Sequence, residues 1–136
     1  MSVLEDLGGY LDAQTGSLTL GTNLFYGLMP ETVDNVVALF ENAGAPPNFT
    51  MGSANLPQME RPQLQVLLRN TSYSSGRTLA DTVYRILTAI ANQTINTNSY
   101  LRVEALGMPQ VLERDASKRV VFTMNFDVVR LLAVAP

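Results

Sequence analysis

The sequence predicts an α+β fold, α-β-β-β-α-β-β in order, with two helices packed on one face of a largely antiparallel sheet. Three observations carry this. Leu64, Val66 and Leu68 alternate with Gln63, Gln65 and Arg69, the period of a strand with one buried face. Ala80, Val83, Tyr84, Leu87 and Ala91 fall on one helical stripe. Phe122, Met124, Phe126 and Val128 alternate with Thr123, Asn125 and Asp127 in the longest predicted strand. With 136 residues, no internal repeat and no low-complexity tract, residues 1–136 read as a single domain.

Each element follows from local chemistry. Ser2 to Gln14 is the first helix: Ser2 and Glu5 have capping-box spacing, and Val3, Leu7, Tyr10 and Leu11 form its apolar stripe. Gly8 and Gly9 each weaken such a helix by about 1 kcal/mol relative to alanine, which close packing against a neighbour would explain. A turn through Gly16 and Gly21 leads to a short strand, Leu24 to Met29, stopped by Pro30. Asn35 to Glu41 is the second strand, and the PETVDN link has hairpin length.

Asn42 to Met59 reads as a long flexible loop, with three prolines, two glycines and little periodicity. Loops of that length in a compact domain are usually functional or disordered. Phe49, Met51, Leu56 and Met59 give it apolar anchors, so it reads as an excursion that orders against a partner, with a floppy insertion as the alternative. A strand over 63–69 and a helix over 72–92, capped by Ser72, come next. Ser75 and Gly76 are poor helix formers for its first turn.

NQTINTNSY is a polar linker; its Asn92-Gln93-Thr94 fits the glycosylation pattern, of no use to a cytoplasmic protein. Tyr100 to Leu106 is a strand with Arg102 and Glu104 on one face, and GMPQVLERDASK is a loop turning near Asp115, its tip DASKR lacking the glycine a tight turn favours. Val120 to Leu131 closes the sheet, and the apolar tail LLAVAP reads as packing on a subunit.

Composition excludes several kinds of chemistry. Without cysteine there is no disulfide or thiolate, and without histidine the commonest general base and transition-metal ligand is missing. No apolar run approaches the roughly 20 residues of a membrane span, and the N-terminus lacks a basic region before an apolar run, so a cytoplasmic protein is expected. No phosphate-binding glycine loop, GxSxG elbow or calcium-binding acidic loop is present. The close carboxylate pairs, Glu5-Asp6 and Glu113/Asp115, stand where solvated helix and turn charges stand. No catalytic residue, cofactor site or metal site is therefore expected. Nor is sequence-specific nucleic-acid binding, because the net charge is −3 and the basic residues are spaced rather than clustered.

The charge is split along the chain. Residues 1–60 carry seven acidic residues and no lysine or arginine; residues 61–136 carry nine basic residues, eight of them arginine, and five acidic ones. One reading pairs the halves inside a monomer. The other sets an acidic edge of one subunit against a basic edge of the next, a head-to-tail contact that closes into a ring when the rotation permits. The candidate interface residues are Glu31, Asp34, Glu41, Phe49, Met51, Arg61, Arg102, Arg114 and Arg119.

The block ERPQLQVLLRN followed by TSYSSGRTLADTVYRILTAIANQ, flanked by NLFYGLMPE, SYLRVEALGMPQ and RDASKRVVFTMNFDVVR, resembles the small tailed-phage proteins known as minor capsid or tail-terminator proteins. The resemblance covers nearly the whole chain and lies in order and pattern. It implies a structural virion protein, not an enzyme. It also implies a hexameric ring at the tail–head joint that ends polymerisation of the major tail-tube protein and meets a head-connector protein, with DNA passing through. A neck or head-completion role at the same joint is the alternative, and a small-ligand binding module a more distant one.

Overall fold

The computed structural model describes residues 2–49 and 57–131 and has the α+β class. Its elements are α1 (Val3–Gln14), β1 (Leu24–Tyr26), β2 (Val36–Phe49), β3 (Pro57–Asn70), α2 (Tyr73–Thr88), β4 (Ala91–Ile95), β5 (Asn98–Ala105), β6 (Gln110–Arg114) and β7 (Val120–Leu131). The strands form one curled sheet in the order β1-β2-β3-β7-β5-β4, and β6 also pairs with β7. All pairings are antiparallel except β1 with β2, which is parallel.

Period 2 and period 3.6 meet in the core. Val37, Leu39, Leu64, Val66, Leu68, Phe122, Met124, Phe126 and Val128 point to one face and are buried. Val3, Leu7 and Leu11 of α1 and Ala80, Val83 and Leu87 of α2 cover them in one cluster. Tyr84 is half-buried at the margin, its ring 6.3 Å from that of Phe126. Both predicted caps are present: Ser2 and Glu5 bond reciprocally across the start of α1, and Ser72 accepts from the Ser75 N–H at α2.

Two glycines are explained by close approach. A Cβ at Gly76 would lie 2.6 Å from Cε1 of Phe122 and 3.0 Å from Cβ of Asn70, so only glycine lets α2 seat its first turn on the sheet. A Cβ at Gly8 would meet the Tyr26 ring at 3.2 Å, whereas Gly9 has open space beside it.

Several expectations are corrected. The PETVDN link is not a hairpin turn but a crossover, because the strands it joins are parallel. It is drawn across the sheet by buried Arg69, which donates to the carbonyls of Pro30 and Val33. Much of the segment read as a loop is strand. β2 and β3 stay paired through Asn42↔Gln63, Ala45↔Arg61, Asn48↔Met59 and Phe49↔Pro57, with register shifts between these pairs. Such irregularities let a ladder tolerate residues that cannot donate to it, which is how Pro46, Pro47 and Pro57 escape a periodicity search. Residues 50–56, Met51 and Leu56 among them, lie outside the described residues, as does the tail after Leu131.

α2 ends at Thr88, four residues short of the predicted end, and Ala91 is an exposed residue of β4. The polar linker is a hairpin: Asn96 and Thr97, with φ of 49° and 69°, form a two-residue turn between β4 and β5. Gln110–Arg114, read as loop, is strand β6.

One buried carboxylate ties the ends of the fold together. Asp6 of α1 is fully buried and accepts hydrogen bonds from Asn96 Nδ2 (3.2 Å), Asn98 Nδ2 (2.8 Å) and the Tyr100 hydroxyl. Arg130 of β7 stands 3.7 Å away and pairs in turn with Glu60 at 2.9 Å. Burial, with the hydrogen bond to Asp6, raises the Tyr100 pKa well above the ordinary tyrosine value.

Candidate assembly surfaces

The first charged surface lies where the crossover passes over the ends of β3 and β7. Arg119 just precedes β7 and is buried. Its Nε reaches Asp115 Oδ2 at 2.7 Å, Nη2 reaches Glu31 Oε2 at 2.9 Å, and Nη1 reaches Asp34 Oδ1 at 3.3 Å. Nη1 also donates to the Glu31 carbonyl at 2.9 Å. Burial opposes ionisation of Asp115, but hydrogen bonds from the Arg119 backbone and side chain outweigh it and lower its pKa.

Three candidate interface residues thus meet inside one chain. Arg119, expected to face a neighbour, is sunk beneath Glu31 and Asp34, whose side chains remain 84% and 71% exposed. For this cluster the pairing within a monomer holds. With the two buried arginines below them, the carboxylates are what this surface shows to solvent.

The second surface is the sheet face turned away from the helices. There Arg61 and Arg102 line a shallow depression of about 110 Å³ with Gln63, Glu104, Asp127 and Val129. Register brings them together, since Gln63 is opposite Asp127 and Glu104 opposite the same residue from the other side. Arg102 and Glu104, predicted to share a face, stand 3.5 Å apart and are both more than half exposed. Glu41 is exposed on β2, and Arg114, exposed at the end of β6, donates to the Lys118 carbonyl at 3.0 Å. Phe49 is the last residue of β2. Among the described residues, no single cluster gathers the candidates, and Met51 lies outside them.

Sequence reasoning missed the apolar edges. Among the described residues Tyr26 and Leu28 are exposed at the β1 edge, and Leu106, Met108, Val111 and Leu112 along β6 and the loop before it. Every residue of β6 is exposed. The signal was available: Val111 and Leu112 are strand formers flanked by Gln110 and Glu113, but Pro109 masked the start of the strand.

A model of the family described as bacteriophage tail terminator protein matches residues 7–131, and the chain belongs to that family. It is a structural protein of the phage tail and a virion component, not an enzyme. None of the curated protein sequences matches it. Among solved structures, a chain from the virion of a native gene transfer agent particle superposes with a TM-score of 0.64 over 96% of both chains, at 12% identity. Another solved structure gives a TM-score of 0.54 over 97% of this chain and 92% of its own, at 9% identity. Likenesses this distant concern the fold.

Proposed function

We propose that the protein closes into a homomeric ring, a hexamer, on the end of the phage tail tube. The ring ends polymerisation of the major tail-tube protein and presents its other side to the head-connector protein, with DNA passing through the opening. Assembly takes place in the host cytoplasm. The observation that carries this reading is the tail-terminator match across residues 7–131. The likeness of fold to a chain of a gene transfer agent virion supports it.

Capping requires no chemistry, only two unlike surfaces: one that fits the last tube ring and one that cannot accept another tube subunit. Glu41, Arg61, Arg102 and Arg114 are the exposed charged candidates for contacts between subunits or with the tube, and Phe49 and Met51 are proposed as apolar partner contacts. Glu31 and Asp34 are proposed to serve through their exposed carboxylates while Arg119 holds them in place. Exposed ion pairs contribute about 0–1 kcal/mol each, so apolar contact holds such a ring and charge sets orientation and register.

The test is the tail phenotype of a phage lacking the protein, together with copy number at the joint. Loss of tail-length control with several copies per joint is expected. Tails of normal length that fail to join heads would assign the neck role instead. A single copy at the joint of intact virions defeats the ring.

A further inference from the structure

We propose that neighbouring copies in the ring meet edge to edge, the β1 edge of one packing against the β6 edge of the next. This rests on the ring reading above. One row of residues crosses the sheet from edge to edge: Leu24 is opposite Val37, Val37 opposite Leu68, Leu68 opposite Phe122, and Phe122 opposite Val111. At this level the sheet is five strands wide, β1-β2-β3-β7-β6, and both end strands expose apolar side chains.

The β6 edge is contiguous with its surroundings. Tyr73 at the start of α2 is about half exposed and stacks on Phe122 at 5.8 Å, so it flanks Val111. Arg77 donates to the Pro109 carbonyl at 2.7 Å, fixing α2 to the loop that carries Met108. Leu112 (54% exposed) and Met108 (65%) are the most prominent apolar groups here. The β1 edge offers Tyr26 (44%) and Leu28 (58%).

Charge selects a second copy as the occupant. The β1 edge is bordered by exposed Glu41, two residues beyond the Leu39 that pairs with Tyr26, and no basic residue occurs before Arg61. The β6 edge is bordered by exposed Arg114 and Lys118 against exposed Glu113, while the partly exposed Arg77 beside it pairs with Asp81 at 3.6 Å. The edges are thus unlike in charge and alike in being apolar, the requirement for a heterologous contact that repeats from copy to copy. Direction agrees as well. β1 runs parallel to β2, and three antiparallel steps then make β6 antiparallel to β1. A cyclic rotation about an axis along the strands leaves directions unchanged, so β6 would meet the neighbour's β1 antiparallel. The turn Thr19–Leu24 already bonds to Leu24, so the contact is made by side chains more than by a continued ladder.

The chain has no cysteine, so the introduced thiols are the only ones this protein brings to cross-linking in assembled tails. Leu28→Cys with Leu112→Cys in one chain, treated with a short flexible bis-maleimide, should give a ladder of covalent multimers, and each single variant none. Leu28→Cys with Met108→Cys repeats the test at a second position. Covalent dimers from Leu112→Cys alone would show a two-fold contact and overturn the proposal. Absence of cross-links in tails whose joint holds several copies would overturn the edge assignment and leave the ring standing. A joint with one copy would overturn both.

Discussion

Single atoms decide the sign of a substitution here. Gly76 and Gly9 are both helical glycines, and intrinsic propensity alone favours alanine at each by about 1 kcal/mol. At Gly9, with nothing within 4 Å, Gly9→Ala should stabilise by about 0.5–1 kcal/mol. At Gly76 the new methyl would strike fully buried Phe122, so Gly76→Ala should destabilise by about 1–3 kcal/mol despite the same propensity gain. Denaturation midpoints of the two variants, moving in opposite directions, check this.

Tyr100 gives a second residue-scale prediction. Its folded pKa lies above the unfolded value of about 10, so the proton is held more tightly in the native state. The resulting stability is fully present below about pH 10 and is lost as pH rises from there towards the folded pKa. Tyr100→Phe should flatten that alkaline slope in a pH series of urea melts. At neutral pH it should cost about 1–3 kcal/mol, because buried Asp6 loses a donor.

For whole elements, what repeats was legible and what is irregular was not. The stripes of β3, α2 and β7 span several periods, and their apolar residues face the core; Leu87→Ala should therefore cost about 2–5 kcal/mol by thermal or chemical denaturation. Five-residue β6 shows too few periods to outweigh Pro109 beside it. The β4–β5 hairpin hid behind Asn96 and Thr97, whose left-handed backbone has no hydropathy signature. The outer part of the β2–β3 arm hid behind its prolines and register shifts. Among the residues whose burial is described, the core of that hairpin lies at 36–39 and 64–68, and deleting residues 45–56 should leave the unfolding midpoint of the domain nearly unchanged. The same deletion should impair tail completion, measured as infectious titre; normal titre would deny the arm a role in assembly.

Across the molecule the acidic and basic halves meet inside the fold. The split in the sequence did indicate electrostatic pairing, but not that Arg69 and Arg119 would be buried. Their burial follows from the parallel crossover, which no local pattern announced, and it leaves the carboxylates of Glu31 and Asp34 on the surface. Arg119→Ala should therefore do more than weaken a surface pair. It would leave Asp115 and Asp34 without their cation, leave Glu31 to Arg69 alone, and loosen the crossover, which Arg69 would still tether. A lowered melting temperature, together with proteolytic nicking within residues 27–35 that the wild type resists, is the expected readout.

The buried Asp6 contacts also set a timetable. They join α1 to residues 90, 92 and 94 positions further along the chain. Closing a loop of that size costs on the order of 4 kcal/mol in chain entropy. α1 can pack on β1 and β2 early, but Asp6 meets its hydrogen-bond partners only once residues 96–100 are in place, and the carboxylate stays hydrated until then. The polar lock on α1 thus closes after its apolar packing. In pulsed hydrogen exchange during refolding, the α1 amides should gain protection after those of β3 and β7, and a subunit whose N-terminal helix is still loose is one not yet finished.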